Sequence, residues 1–354
     1  MSEAVATQDK ITTAPLPAPK VSPRLAEMWK RGTEFLGCPV AILAGAMSWV
    51  SERNLVAAIS NAGGFGVIAC GSMNPALLDA EIKATKALTN KPFGVNVITM
   101  HPQLMELIEV CQSNNVTHVV FAAGLSPGEA IKKAKSFAKV VCFAPAASFA
   151  KRLIKSGADA LVIEGSEAGG HIGPVSTSVL AQEILPVIRD VPVFVAGGIG
   201  RGEAIVSYLE MGASGVQMGT RFVCATESIA HPKFKQAFIR ASARDAVASV
   251  QFDKRLSVIP VRALANHGTE EFMETQRRVL EKLVRGEVEQ LAAQLEIEHF
   301  WAGALRRAVI DGDVERGSVM AGQSVGMVTR EEPVTAIIAE LLAQADAALA
   351  ARAG

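Results

Sequence analysis

The feature that most constrains this 354-residue chain is a regular alternation of short apolar runs with amphipathic helical stretches. Each apolar run is too short for a buried helix and has the length of a buried parallel strand. The predicted strands are 40–43, 65–69, 93–97, 118–123, 139–144, 160–164, 192–196 and 215–219. The predicted helices are 51–62 with Ser51 as its N-terminal cap, one opened by Asn74, 103–113, 126–138, 148–156, 177–189 and 202–211.

Strands that alternate with helices pair in parallel through right-handed crossovers. Eight such units predict an α/β fold that closes into a (β/α)8 TIM barrel, and not an open doubly wound sheet. Residues 35–225 and 317–354 are assigned to this barrel, with the C-terminal helix packed against it. Residues 1–34 are predicted to be a flexible N-terminal tail, and 226–316 a helical insertion after the eighth strand, near the barrel mouth.

Composition narrows the class of protein. The 35 basic residues balance the 35 acidic residues, so neither a nucleic acid nor an anionic membrane is an expected partner. The five cysteines lie far apart, in or beside apolar runs, and are interpreted as reduced core thiols of a cytoplasmic protein. No apolar run reaches the length of a transmembrane helix. Oligomeric state stays open, with a homodimer among the possibilities.

A glycine-rich stretch, 165–173, follows the strand predicted at 160–164 and contains His171. Glycines let a backbone approach a ligand closely, and an imidazole at a strand end can transfer protons near neutral pH. His171 is therefore the candidate catalytic residue. The alternative interpretation is a surface turn with a structural, hydrogen-bonded histidine.

Small residues also end other predicted strands. They include Gly45 after the first strand, Gly197 and Gly198 after the seventh, and Gly219 after the eighth. Barrel ligands bind at these carboxyl ends, where bare backbone amides and a helix N-terminus can hold a phosphate. The alternative is that these glycines only permit tight turns.

Other reactive side chains are interpreted as structural. Cys224, just after the eighth strand, is expected to be a core thiol and not a nucleophile. The remaining histidines have no metal-ligand spacing and are interpreted as structural or exposed; they are His101, His118, His231, His267 and His299.

Six blocks of the chain resemble the nitronate monooxygenase (2-nitropropane dioxygenase) superfamily of FMN-dependent TIM barrels. They keep the order of the family between about residues 36 and 343, and comprise 46–50, 91–96, 164–171, 196–199, 217–222 and 320–323. Within the superfamily, 302–305, 311–314 and 317–323 are similar to the flavin-dependent enoyl-ACP reductases.

The resemblance implies that FMN binds without covalent attachment at the top of the barrel, with His171 beside its reactive edge. The implied phosphate contacts are Gly197, Gly198, Gly219 and Thr220. The implied contacts to the rest of FMN are Gly45, Ala46, Met47, Asn96, Glu164, Gly169, Gly170, Ala196, Gln217, Met320, Ala321, Gly322 and Gln323.

Three functions are compatible with these residues. In the first, the enzyme takes hydride from NADH or NADPH and reduces an enoyl thioester, with His171 protonating the α-carbon. In the second, it is a nitronate monooxygenase that oxidises alkyl nitronates with O2, and His171 positions the nitro group. The third is a non-catalytic barrel that binds a phosphate ligand.

Overall fold

The protein folds as an eight-stranded parallel barrel surrounded by helices. The structure, a computed structural model, describes residues 19–122, 127–253, 255–256 and 259–352. The barrel strands are β1 (Ile42–Ala44), β2 (Gly66–Ala69), β3 (Phe93–Ile98), β4 (His118–Ala122), β5 (Lys139–Phe143), β6 (Ala160–Glu164), β8 (Val193–Ala196) and β9 (Gly215–Met218). The helices between them are α3 (Arg53–Asn61), α4 (Pro75–Leu88), α5 (Leu104–Ser113), α6 (Gly128–Lys135), α7 (Ala147–Ser156), α8 (Thr177–Ile184) and α9 (Gly202–Glu210).

Strand order around the sheet is β1-β9-β8-β6-β5-β4-β3-β2, with every pair parallel. The two end strands meet through Phe65, whose amide donates to Ile42 O at 2.9 Å. In return, Phe65 O accepts from the Ala44 amide at 2.8 Å. These bonds close the sheet on itself, so the predicted TIM barrel is confirmed.

The predicted elements agree with the observed ones to within a few residues, and one helix start differs for a chemical reason. Glu52, not Ser51, caps α3: its carboxylate accepts from the amides of Asn54 and Leu55. The Ser51 hydroxyl instead accepts from the Met47 amide and donates to Gly45 O, which folds the loop after β1. The predicted strand end at 123 and helix start at 126 lie outside the described residues.

The prediction of a flexible tail over 1–34 is wrong for its last part. Residues 1–18 lie outside the described residues, but two helices follow, α1 (Pro23–Met28) and α2 (Lys30–Leu36). Leu25 and Trp29 are fully buried. Phe35 O accepts from the His118 imidazole at the start of β4. These helices therefore cover the end of the barrel where strands begin, and their apolar face outweighs the tail-like composition before them.

The segment predicted as a helical insertion also contains strands. Its elements are α10 (Pro232–Arg240), β10 (Ala246–Ala248), β11 (Val261–Leu264), α11 (His267–Val284) and α12 (Gln290–Val309). β11 pairs antiparallel with β10 and with a short strand β7 (Gly170–His171) inside the glycine-rich stretch. The helix α10 packs into the barrel core through Phe234 and Phe238, so the insertion begins later than residue 226.

The C-terminal helix α13 (Val334–Ala351) is, among the described residues, the one helix long and apolar enough to cross a membrane by length and composition. Its apolar face, including Ile337, Ile338 and Leu341, is buried. A Cβ on Gly202 of α9 would lie 2.2 Å from Leu341 O, so that glycine lets the two helices touch. The burial of this face matches the predicted packing helix.

Candidate active site

One cavity of about 690 Å³ lies at the carboxyl ends of the barrel strands, within the range of ligand pockets. The structure brings most of the predicted site residues together there. Those that line it are Gly45, Ala46, Met47, Asn96, Glu164, Gly169, Gly170, His171, Ala196, Gly197, Gly198, Gln217, Gly219, Thr220, Met320 and Gly322. Ala321 is fully buried beside the wall, and the Gln323 amide donates to Glu167 O at 2.9 Å; neither is a lining residue.

The turn after β8 presents bare backbone to the cavity. Gly197 and Gly198 have φ values of +96° and +72°, the left-handed region that favours glycine. Behind them, the Thr177 amide donates to the Glu167 carboxylate at 2.7 Å, at the first residue of α8. The Thr177 hydroxyl lies 3.1 Å from Gly197 O. Glu167 is thereby used to cap a helix, and the turn beside it is fixed.

A second wall forms where two distant loops meet. A Cβ on Gly169 would lie 2.5 Å from the Gly322 nitrogen, so only glycine permits this approach. The Gly322 amide donates to the Thr220 hydroxyl at 3.0 Å, which links the loop after β9 to the same place. Three sequence blocks far apart in the chain thus build one surface beside the turn after β8.

His171 is held by strand pairing and not by a free loop. It pairs with Val261 of β11, and the Ile172 amide donates to Pro260 O at 2.9 Å. Arg262, next along β11, donates from Nε to Ser166 O at 2.8 Å. The sequence did not predict this three-stranded sheet, because glycine-rich stretches are poor strand formers.

Glu164, at the end of β6, is the one acidic side chain among the described lining residues. Burial raises the pKa of its carboxyl group to about 8, since no cation accompanies it in the described wall. The described lining contains no Lys or Arg. Glu164 therefore carries a proton at neutral pH and can donate a hydrogen bond into the cavity.

Two histidines interpreted as structural or exposed also line the cavity, His101 and His299. Burial lowers the pKa of His101, whose Nδ1 accepts from the Gln103 amide at 3.1 Å. His118 is structural as expected, with Nε2 3.0 Å from Phe35 O. No cluster of metal-binding side chains occurs in the part of the chain that the structure describes.

All five cysteines lie within the described residues and are buried thiols outside any disulfide, as predicted. Burial raises the pKa of Cys224 to about 12, and its Sγ donates to Lys235 O. A thiol in this state is not a nucleophile at neutral pH, so Cys224 is a core residue.

Aromatic residues of the cavity were missed from the sequence. They are Trp49 in the loop after β1, Phe143 at the end of β5, Phe149 of α7, Phe234 of α10 and Trp301 of α12. Only the block at 302–305 indicated that α12 would lie near the site, because isolated aromatics in a sequence do not show which way they face.

The strand-end cavity, with its glycine-lined turns and an imidazole at its wall, has the features of the ligand site of a (β/α)8-barrel enzyme. The family model described as Nitronate monooxygenase matches residues 30–114 and 103–344. The chain belongs to the nitronate monooxygenase family, as its sequence blocks indicated. It is an enzyme, and the non-catalytic alternative is set aside.

Comparisons with individual proteins support the family assignment. A (3aS,4S,5R,7aS)-5-hydroxy-7a-methyl-1-oxo-octahydro-1H-indene-4-carboxyl-CoA dehydrogenase from Rhodococcus jostii is 31% identical, over 91% of this chain and 98% of the relative. The structure of FabK from Thermotoga maritima superposes with a TM-score of 0.80 at 37% identity, over 92% of this chain and 98% of that one. Nitroalkane oxidase from Streptomyces ansochromogenes gives 0.73 at 26% identity, over 90% and 99%.

Proposed function

We propose that the protein is an FMN-dependent reductase that uses NADH or NADPH to reduce an enoyl thioester. The observation that carries the proposal is the apolar, aromatic part of the cavity. Phe143 and Phe149 lie on one side of the barrel mouth, and Trp301 of α12 lines it from the insertion. Such a wall suits an acyl chain, which gains free energy by leaving water.

The residues at the strand ends fit FMN. Gly197 and Gly198 offer backbone without side chains. A Cβ on Gly198 would lie 3.0 Å from Glu167 Cβ, so the turn has little room for a side chain at this position. Gly219 and Thr220 follow β9, the strand next to β8, and line the same cavity. With no cation in the described lining, backbone amides and helix ends would hold the phosphate. Bound FMN supplies the hydride chemistry that protein side chains lack.

The chain's own contribution is proton handling. His171 lines the cavity on a paired strand, which supports its proposed role as the donor of a proton to the substrate's α-carbon. Glu164 holds a second proton at neutral pH and can donate a hydrogen bond to a bound ring or carbonyl.

The relatives support a thioester substrate. The Rhodococcus jostii relative is named as the dehydrogenase of a carboxyl-CoA compound, which is a thioester. FabK shares more identity with the chain than nitroalkane oxidase does, 37% against 26%. The family model, in contrast, carries the name of the nitronate monooxygenases, which keeps nitronate oxidation as the second candidate.

An anaerobic spectroscopic experiment separates the two. The purified yellow protein is mixed with NADH or NADPH, then with a crotonyl thioester. We expect rapid bleaching by a nicotinamide and return of the colour with the thioester. Slow bleaching by both nicotinamides, with rapid bleaching by propyl-2-nitronate, would instead assign the protein to nitronate oxidation.

A further inference from the structure

Trp49 lies at the cavity wall in an unusual backbone conformation. Its φ is +67°, in the left-handed region, where a bulky side chain costs free energy. Such a conformation persists only where the surrounding structure enforces it, and it is most often found at ligand sites. The Met47 and Ser51 hydrogen bonds around it hold the turn that presents the indole ring.

Arg306 of α12 lies beside this ring. Its guanidinium carbon is 5.8 Å from the Trp49 ring centroid, within the range of a cation–π contact. Ala302, four residues earlier on the same helix face, is exposed and lines the cavity. The arginine therefore lies at the mouth, where the cavity opens to solvent.

Charge makes this position distinctive. The described cavity lining contains no Lys or Arg, so Arg306 is placed to meet an anionic group that remains at the mouth. Its guanidinium also lies 3.1 Å from the Asp311 carboxylate, and both side chains are about half exposed. An exposed pair of this kind contributes little, so a phosphate can compete for the arginine.

We propose that Trp49 and Arg306 form a rim site that binds a phosphate group of an organic phosphate ligand whose reactive end enters the cavity. The inference rests on the proposed function, which has two such ligands: a nicotinamide dinucleotide and a CoA or phosphopantetheine thioester. Arginine offers the planar donor set that phosphate prefers, and the indole ring gives a flat face beside it.

The test measures dissociation constants of NAD⁺, NADP⁺ and crotonyl-CoA by calorimetry on the protein loaded with oxidised FMN, with which none of these ligands reacts. The phosphate-free crotonyl-N-acetylcysteamine thioester is the reference ligand. Arg306→Met should weaken at least one phosphate-bearing ligand about tenfold and leave the reference ligand unchanged. The control is Arg307→Met, one residue along, whose guanidinium lies 4.0 Å from Glu271.

The ligand whose affinity falls in Arg306→Met identifies the source of the phosphate, and either source supports the site. Asp311→Asn retains Arg306 and removes the carboxylate that competes with phosphate for it, so the same ligand should bind at least about twofold tighter. This second variant tests the site even if Arg306→Met does not fold. Unchanged affinities for all three phosphate ligands, or equal weakening of the phosphate-free thioester, would overturn the site. Because binding is measured without turnover, failure of the proposed reaction would be seen separately.

Discussion

His171 combines two properties that a proton donor needs: access to the cavity and a fixed backbone, through its pairing with Val261. We expect His171→Ala to keep FMN bound and reducible by nicotinamide, since hydride uptake does not need an imidazole. Turnover of the second substrate should fall by about 10²–10⁴. Stopped-flow measurement of each half-reaction checks this. A full-rate variant would make His171 structural, and a variant without flavin would make its role binding.

Glu164 gives the site a predictable pH response. The pKa of its carboxyl rises from 4.5 to about 8 on folding, so between those values the folded state holds a proton that the unfolded chain has lost. Stability therefore falls as pH rises through this window and stays level above it.

Glu164→Gln removes this titration, because the amide stays neutral while filling the same space. In flavin-free protein, the stability of the variant relative to the wild type should rise by roughly 1–2 kcal/mol between pH 5 and pH 8.5, after allowance for solvent in the cavity. This corresponds to a rise of a few degrees in the difference between their melting temperatures. Parallel thermal scans at the two pH values test it. A constant difference between the proteins would mean that Glu164 is ionised in the folded state.

At the scale of elements, the turn after β8 is the part of the site whose shape depends most on glycine. Gly198→Asp would press a side chain against Glu167, whose Cβ a new Cβ would meet at 3.0 Å, and would add a negative charge to the turn proposed to hold the phosphate; FMN should therefore be lost while the circular dichroism spectrum is kept. Gly198→Ala removes the charge but keeps the positive φ and the close contact with Glu167 Cβ, so it should lose at least the conformational penalty of about 1–2 kcal/mol in stability.

Gly212 provides the matched control. Its φ is +103°, and a Cβ there would meet only the Arg189 side chain, at 3.5 Å. Gly212→Ala should therefore lower the melting temperature by the conformational part alone, less than Gly198→Ala does, with unchanged affinity for FMN. If Gly198→Asp bound FMN as the wild type does, the phosphate would have to lie elsewhere.

The sequence predicted elements whose signal is local and missed those that depend on partners. The barrel strands are continuous apolar runs, and Asn74 caps α4 as its position indicated. The strand at Gly170–His171 exists only because β11, some ninety residues later, pairs with it. Likewise, α1 and α2 follow a polar stretch, and only the burial of Trp29 beneath the barrel reveals them as structure.

For the whole molecule, the important division is between two hydrophobic cores. The barrel has one, and the insertion has its own, built around Phe272 and Trp301, whose ring centroids are 4.0 Å apart. Met320 packs against both cores and also lines the cavity. The part of the active-site wall around Trp301 is therefore stabilised largely independently of the strands that carry the proposed FMN contacts, whereas the end of α12 packs into the barrel core through Leu305, Ala308 and Val309.

Phe272→Ala tests this independence. Phe272 is fully buried, and truncation of such a side chain costs about 3–5 kcal/mol. The cost should fall on the insertion. Amide hydrogen exchange should rise in peptides from 267–284 and 290–301, with the barrel strands unchanged. FMN affinity should be retained, while the KM of the acyl substrate rises because Trp301 loses its support. Phe65→Ala, in the barrel core, should instead raise exchange in the barrel strands and lower FMN affinity. Equal exchange changes throughout the chain in both variants would show that the two cores unfold as one unit.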